Sequence, residues 1–477
     1  MKAKTRQLLD PVTHRPKPYG ASPTATLENR RRFGRRGFLK GAAGAAALAF
    51  WTDENLAAYQ GTVNTNSKPS DLKITDLRVA VVGGAPMMCP LIRIDTNQGI
   101  YGLGEVRDGA SKNYALILKS RLLGENPCNV DKIFRKIKQF GGHARQGGGV
   151  CGVEMALWDI AGKAYNVPAY QLLGGRFRDK VRCYADTDMS RDPRVFAQRL
   201  KTRVDEKGFT FLKMDLGVGL VEHIPGVVSR PLGTTSRDFG MVQHMFTGME
   251  LTPKGVDEMA KYVAAVREVL SMDVPLAADH FGHIGVNSCI RLGKALEKYN
   301  LAWLEDMIPW QYADLMKTIT DAVDIPVLTG EDIYLKEEFL KLASMHAVDM
   351  VHPDLATSGG LLETKKIGDL CQEHGVAMAM HFAGTPVSFM ANVHCALATE
   401  NFVALEHHSV DVPWWEDLVN GHKPLFDKGF ATLPTAPGLG VTLNDAVVKQ
   451  HLHADHPGYF LPTPEWDKDR VNDRLWS

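Results

Sequence analysis

The sequence predicts an α/β protein: a closed, eight-stranded parallel barrel preceded by a smaller α+β domain. Three observations point there. The segments LAADH, LAWLED and PVLTGED each end an apolar run on a carboxylate, and these carboxylates, Asp279, Glu305 and Glu331, recur every 26 residues. That interval fits one strand, one helix and the returning strand, so neighbouring parallel strands would bring the three acids to one point. Eight short apolar runs, separated by mostly helical stretches, fill the chain from Arg182 to His407. Ahead of them, from Ile74, the pattern alternates with the period of antiparallel strands.

The whole-chain figures exclude several classes. At 477 residues there is room for a large barrel and a second domain. The chain carries 55 basic and 55 acidic residues, so composition gives no argument for a nucleic-acid or membrane-surface partner. No apolar run reaches the roughly 20 residues that span a bilayer. Seven cysteines are dispersed without a CxxC pair, which argues against a disulfide framework or a structural zinc site and for core thiols.

Residues 1–29 are polar and lack hydrophobic periodicity, as a disordered arm does. Residues 30–51, RRRFGRRGFLKGAAGAAALAFW, resemble a twin-arginine export signal: paired arginines, Phe38-Leu39-Lys40, then a short Gly/Ala-rich run. This places the mature protein in the periplasm or outside the cell, and residues 1–60 outside the fold. Export after folding would also leave unpaired cysteines acceptable in an oxidising compartment.

The second domain occupies residues 61–181. ITDLRVAVV, CPLIRIDT and IYGLGEV read as two or three antiparallel strands joined by turn residues. Helical periodicity follows at 129–140 and 152–175, where Met155, Trp158, Ile160, Ala161 and Ala164 are expected to form one buried face. The loops at 83–88 and 107–112 carry no readable chemistry, although substrate specificity is expected to reside in them and in 217–252. The barrel occupies residues 182–425, with strands expected at 182–186, 209–215, 275–279, 302–306, 326–331, 349–354, 376–381 and 402–407. In such barrels the site lies at the C-terminal ends of the strands. Between the second and third strands, residues 217–252 form a long stretch without clear periodicity, the length of a lid or binding loop.

Three carboxylates at one buried point repel, and a hard divalent cation with oxygen ligands relieves them. Magnesium is the expected ion, held by Asp279, Glu305 and Glu331. Lys213 and Asp215 lie two apart at the end of the second strand and so share a face. A lysine facing the core needs a partner, either Asp215 or the metal carboxylates. Asp354 ends the sixth strand and His381 the seventh. A carboxylate bonded to one imidazole nitrogen fixes the tautomer and raises the basicity, which makes this pair a general base or acid. Glu406 ends the eighth strand and, if protonated, could donate to a developing oxyanion. His280 and His283 follow Asp279 and are further candidates, although alternation turns His280 away from the Asp279 face.

The order Lys-x-Asp, Asp, Glu, Glu, Asp, His, Glu at successive strand ends resembles the enolase superfamily, in its mandelate racemase/muconate lactonizing enzyme family. So do VEMALWDIAGKAYNVPAYQLLGG and HPDLATSGGLLETKKI. The resemblance runs from about residue 72 to about residue 450. It implies a (β/α)7β modified TIM barrel under a capping domain built mainly from the N-terminal part, with residues 426–477 returning to that domain and ending in a tail. It also implies magnesium at the three acids, abstraction of the proton α to a carboxylate, His381 with Asp354 as base or acid, and electrophilic help from Glu406. Where racemase-type members carry Lys-x-Lys, this chain has Lys213-Met214-Asp215, which weighs against two-base racemisation. The expected function is magnesium-dependent elimination of water from an aldonic-type sugar acid to give a 2-keto-3-deoxy acid. The alternatives are a racemase, epimerase or cycloisomerase working through the same enolate, and a non-catalytic metal- or solute-binding protein on this scaffold. The expected partner is a small carboxylate substrate, and the family implies a homo-oligomer.

Overall fold

The computed structural model describes residues 67–230, 245–280 and 282–470. The twin-arginine segment and the middle of the long insertion, residues 231–244, lie outside the described residues.

The capping sheet is antiparallel, in the order β1 (Ile74–Val82), β2 (Cys89–Thr96), β3 (Tyr101–Glu105). Helix α1 (Gly148–Tyr165) lies against it, and two glycines on β3 make the approach close. A Cβ at Gly102 would stand 2.0 Å from the carbonyl oxygen of Ala156, and one at Gly104 would stand 1.9 Å from that of Gly152. Only a residue without a side chain fits at either position. The expected single buried face of α1 is corrected here: every residue from Gly148 to Gly162 is buried. The helix is enclosed because its other side meets the barrel, and an enclosed helix reads as apolar on all sides. It ends at Asn166 in the left-handed conformation.

All eight expected barrel strands are present: β4 (Val181–Ala185), β5 (Leu212–Asp215), β6 (Leu276–Asp279), β7 (Leu304–Glu305), β8 (Val327–Thr329), β9 (Met350–Val351), β10 (Ala377–Met380) and β11 (Phe402–His407). They pair in parallel in chain order, and β11 closes on β4 with Glu406 opposite Tyr184 and His407 opposite Ala185. Seven main helices fill the intervals: α2 (Pro193–Asp205), α3 (Pro253–Val269), α4 (Val286–Leu296), α5 (Ala313–Thr320), α6 (Lys336–Ser344), α7 (Leu361–Glu373) and α8 (Pro386–Ala398). Three of them start with a cap-then-proline signature. Asp192, Thr252 and Thr385 each accept a backbone N–H of the first turn, and a proline follows where no N–H is needed.

The barrel interior is filled by Tyr184, Phe211, Ala277, Trp303, Leu328, Ala379 and Ala404. Tyr184, Phe211, Trp303 and Leu328 fill this layer and the three alanines make room for them, so the barrel is a packed core and not a pore. Fully burying a side chain the size of Leu or Phe contributes about 1.5–3 kcal/mol, so this plug stiffens the floor beneath the site. The long insertion is more ordered at its ends than its sequence suggested, because Val228–Ser229 pairs antiparallel with Glu250–Leu251. Near the C-terminus, Leu452 and Tyr459 bridge to Val82 and Ala80 of β1. All seven cysteines are free, and six of them are buried. Among the described residues no helix is long and apolar enough to cross a membrane.

Candidate active site

Strand alternation builds the site directly above the apolar plug. Two residues beyond each plug residue, on the same inward face, stand Lys213 above Phe211, Asp279 above Ala277, Glu305 above Trp303, His381 above Ala379 and Glu406 above Ala404. His352 follows the same rule above Met350. Glu331 arrives differently, through Gly330 at φ +148°. A Cβ there would lie 2.8 Å from the Phe339 ring and 3.1 Å from the His352 backbone, so a glycine is what lets the chain carry Glu331 over the barrel.

Lys213 sits among the acids. Its Nζ lies 2.7 Å from Glu406 Oε1 and 3.4 Å from both Asp279 Oδ2 and Glu305 Oε1. Of the two partners expected for it, the metal carboxylates are the ones found. Burial alone would lower the Lys213 ammonium, but Glu305, Glu406 and Asp279 hold it well above its ordinary value. Asp215 stands at the rim, where burial and then the charge of Asp186 push its carboxyl up to about 7.

The expected pair is formed. His381 Nδ1 lies 2.6 Å from Asp354 Oδ2, which fixes the tautomer and presents Nε2 to the site. Nε2 lies 3.1 Å from Glu331 Oε2 and 3.7 Å from Glu406 Oε2. Burial works against its charge, but Glu331, Glu406 and the Asp354 bond raise the imidazole to about 10, so it holds a proton at neutral pH. Burial would also raise the Glu406 carboxyl, yet Lys213 and His381 hold it below its ordinary value. The expected donor role of Glu406 requires a protonated carboxyl; here it is an ionised acceptor.

The donor set suits a hard divalent cation. Burial, followed by the charge of Glu305, pushes Asp279 well above its ordinary value despite the nearby ammonium. That point of the site is short of positive charge, and carboxylate oxygens are what magnesium takes. One ligand atom each from Glu305, Glu331 and His352 lies within 4.8 Å of the others, a grouping that leaves out Asp279, whose Oδ2 faces Lys213.

Three residues that hold this centre together, His352, Tyr184 and Arg107, did not stand out in the sequence. His352 places Nδ1 3.1 Å from Glu305 Oε1 and Nε2 2.6 Å from the Tyr184 hydroxyl, which also donates to Glu406 at 3.1 Å. Its position two before Asp354 is the signal that could have found it. Arg107 comes from the cap loop after β3, a loop expected to bear on specificity but in which no residue stood out. Its guanidinium is buried, donates to the Glu331 carbonyl at 2.8 Å, and lies 3.6 Å from Glu331 Oε1 and 3.5 Å from Asp354 Oδ2. The cap thus reaches both the metal carboxylates and the His381 pair. His280 is buried and turned as expected, with Nδ1 3.2 Å from the Leu216 carbonyl; burial and then His283 lower it to about 4. His283 is lowered by burial.

Residues 195–447 match the family model described as enolase C-terminal domain-like. Residues 64–174 match that of the mandelate racemase/muconate lactonizing enzyme N-terminal domain. A D-xylonate dehydratase of Haloferax volcanii is 35% identical over 80% of this chain and 89% of its own length. An arabinonate dehydratase of Saccharolobus solfataricus is 26% identical over 77% of this chain and 91% of its own. A solved mandelate racemase/muconate lactonizing enzyme-like protein from Rubrobacter xylanophilus superposes with a TM-score of 0.72 at 30% identity, covering 81% of this chain and 98% of that one.

Proposed function

This chain belongs to the mandelate racemase/muconate lactonizing enzyme family of the enolase superfamily, and from that premise we propose that it dehydrates a sugar acid to a 2-keto-3-deoxy acid. The observation that carries the reading is the position of His381, whose Nδ1 is held by Asp354 while its Nε2 faces the site 3.1 Å from Glu331 Oε2 and 3.7 Å from Glu406 Oε2. An imidazolium held in place above a packed floor is equipped to protonate a leaving hydroxyl.

Asp279, Glu305 and Glu331 would hold the metal. When bound there, magnesium supplies Lewis-acid charge to the substrate carboxylate, which makes the adjacent C–H bond more acidic. The chain's own groups do the rest. Asp215, raised to about 7, takes the α-proton near its working pH. The Lys213 ammonium stands beside the charge that develops on the substrate carboxylate. As the carbon–carbon double bond forms, the β carbon–oxygen bond breaks. The proton on His381 Nε2 goes to the departing hydroxyl, releasing water and leaving a neutral imidazole. The enol product then tautomerises to the keto acid. Asp215 and His381 stand on strands separated by β4 and β11, so proton removal and proton delivery come from different walls, as an anti elimination requires. The named dehydratases of D-xylonate and arabinonate support a five-carbon acid as the first substrate to test. The twin-arginine segment supports export as the setting.

The test is a panel of four- to six-carbon aldonic acids incubated with purified protein, with and without magnesium, read by keto-acid formation and by α-proton exchange with deuterated solvent. Keto acid formed only with magnesium is expected. Exchange without keto acid would replace this reading with epimerisation or cycloisomerisation.

A further inference from the structure

Asp186 and His408 face the site beyond Glu406, and neither gives or takes a proton in the reaction. They follow Ala185 and His407, which are opposite each other where β11 closes on β4. By the two-residue rule Asp186 stands above Tyr184 and His408 above Glu406, so both face the mouth. His408 Nε2 lies 3.2 Å from Asp186 Oδ2, and one ligand atom each from Asp186, Glu406 and His408 lies within 4.8 Å of the others.

Depth separates this pair from the reacting groups. The side chains of Glu305 and Glu406 are 0% exposed and that of Lys213 4%, whereas Asp186 is 14% exposed and His408 26%. The deep groups therefore meet the carboxylate end of a substrate, and the wetter pair one layer higher meets whatever extends toward solvent. A carboxylate joined to an imidazole offers several polar atoms that hydroxyl groups can bond. Such a pair suits the hydroxyl-bearing far end of a polyhydroxy acid, away from its carboxylate.

We infer that the Asp186–His408 pair is the subsite that binds the distal hydroxyls of the acid and so selects its chain length. This rests on the sugar-acid reading of the same site. Asp186 and His408 are specificity-determining residues that touch substrate away from the reacting carbons.

The test compares magnesium-loaded wild type with Asp186→Asn and His408→Gln. Each variant should raise KM for five- and six-carbon acids about tenfold, roughly the loss of one hydrogen bond to a charged group. The value of kcat should stay within about threefold in His408→Gln, whereas Asp186→Asn should also move the pH dependence of kcat, because the Asp186 charge helps raise Asp215. Inhibition by glycerate, which has the carboxylate end but no distal hydroxyls, should be unchanged. An unchanged KM for the long acids, or equal weakening toward glycerate, overturns the inference. So does a second magnesium per chain in wild type that is lost in Asp186→Asn, which would make the pair a cation site. If wild type turns over no acid, the dehydratase reading fails, and stabilisation against thermal unfolding by the same acids still decides the subsite.

Discussion

Glu105 and Glu154 of the capping domain are as buried as Asp279 and Glu305 at the barrel mouth, yet their partners are of another kind. Glu154 accepts the backbone N–H groups of Leu361 and Leu362 at the start of α7, at 2.7 and 3.0 Å, and the Trp158 indole at 2.6 Å. Glu105 accepts the Thr385 N–H at the start of α8. Glu305 is met by side chains instead: the Trp303 indole, His352 and Lys213. A backbone N–H at a helix start is a fixed donor that never titrates, so the cap acids tie the domain to the barrel helices. Lysine and histidine side chains can move and exchange protons, so the acids they hold remain available to a cation and a substrate. Who satisfies a buried acid separates scaffold from chemistry better than burial does.

Glu154→Ala is the strongest attempt to break that contrast on the stability side. It strands two helix-start N–H groups and an indole, and should lower unfolding free energy by about 1–3 kcal/mol in denaturant titrations. Turnover per folded molecule should be unchanged; a selective loss of kcat would move Glu154 into the chemistry.

Glu105→Gln is the smaller effect and sharpens the comparison through pH. Burial outweighs the Thr385 bonds and raises the Glu105 carboxyl from 4.5 to about 8. Between those values the folded chain keeps a proton that the unfolded chain has released, so stability falls as pH rises through that window. The amide cannot ionise, so melting temperature should fall less steeply with pH in the variant than in wild type. Equal slopes would place the source of the pH dependence elsewhere.

The fold was legible because the strands end on acids at a fixed period and their side chains alternate. The same two-residue rule that puts Lys213 above Phe211 puts His352 above Met350, so His352 was within reach of the sequence. Arg107 was not. It meets Glu331 and Asp354 only because α1 and β3 bring the cap loop over the barrel, and nothing local in GEVRDG records that. The ionised state of Glu406 was hidden for a related reason: it depends on Lys213 and His381, which come from distant parts of the chain. Likewise the all-round burial of α1 reflects two packing partners, while periodicity displays only one face at a time. Local pattern fixes which face a side chain takes, and long-range packing decides what it meets there.

The most direct measurement is keto-acid formation by wild type and His381→Asn, side by side, with magnesium affinity and melting temperature measured on both. The asparagine keeps a polar side chain facing Asp354 but cannot deliver a proton. The account predicts turnover lower by about 10²–10⁴, with metal binding and stability close to wild type. Turnover within tenfold of wild type, or loss of magnesium along with activity, would contradict it.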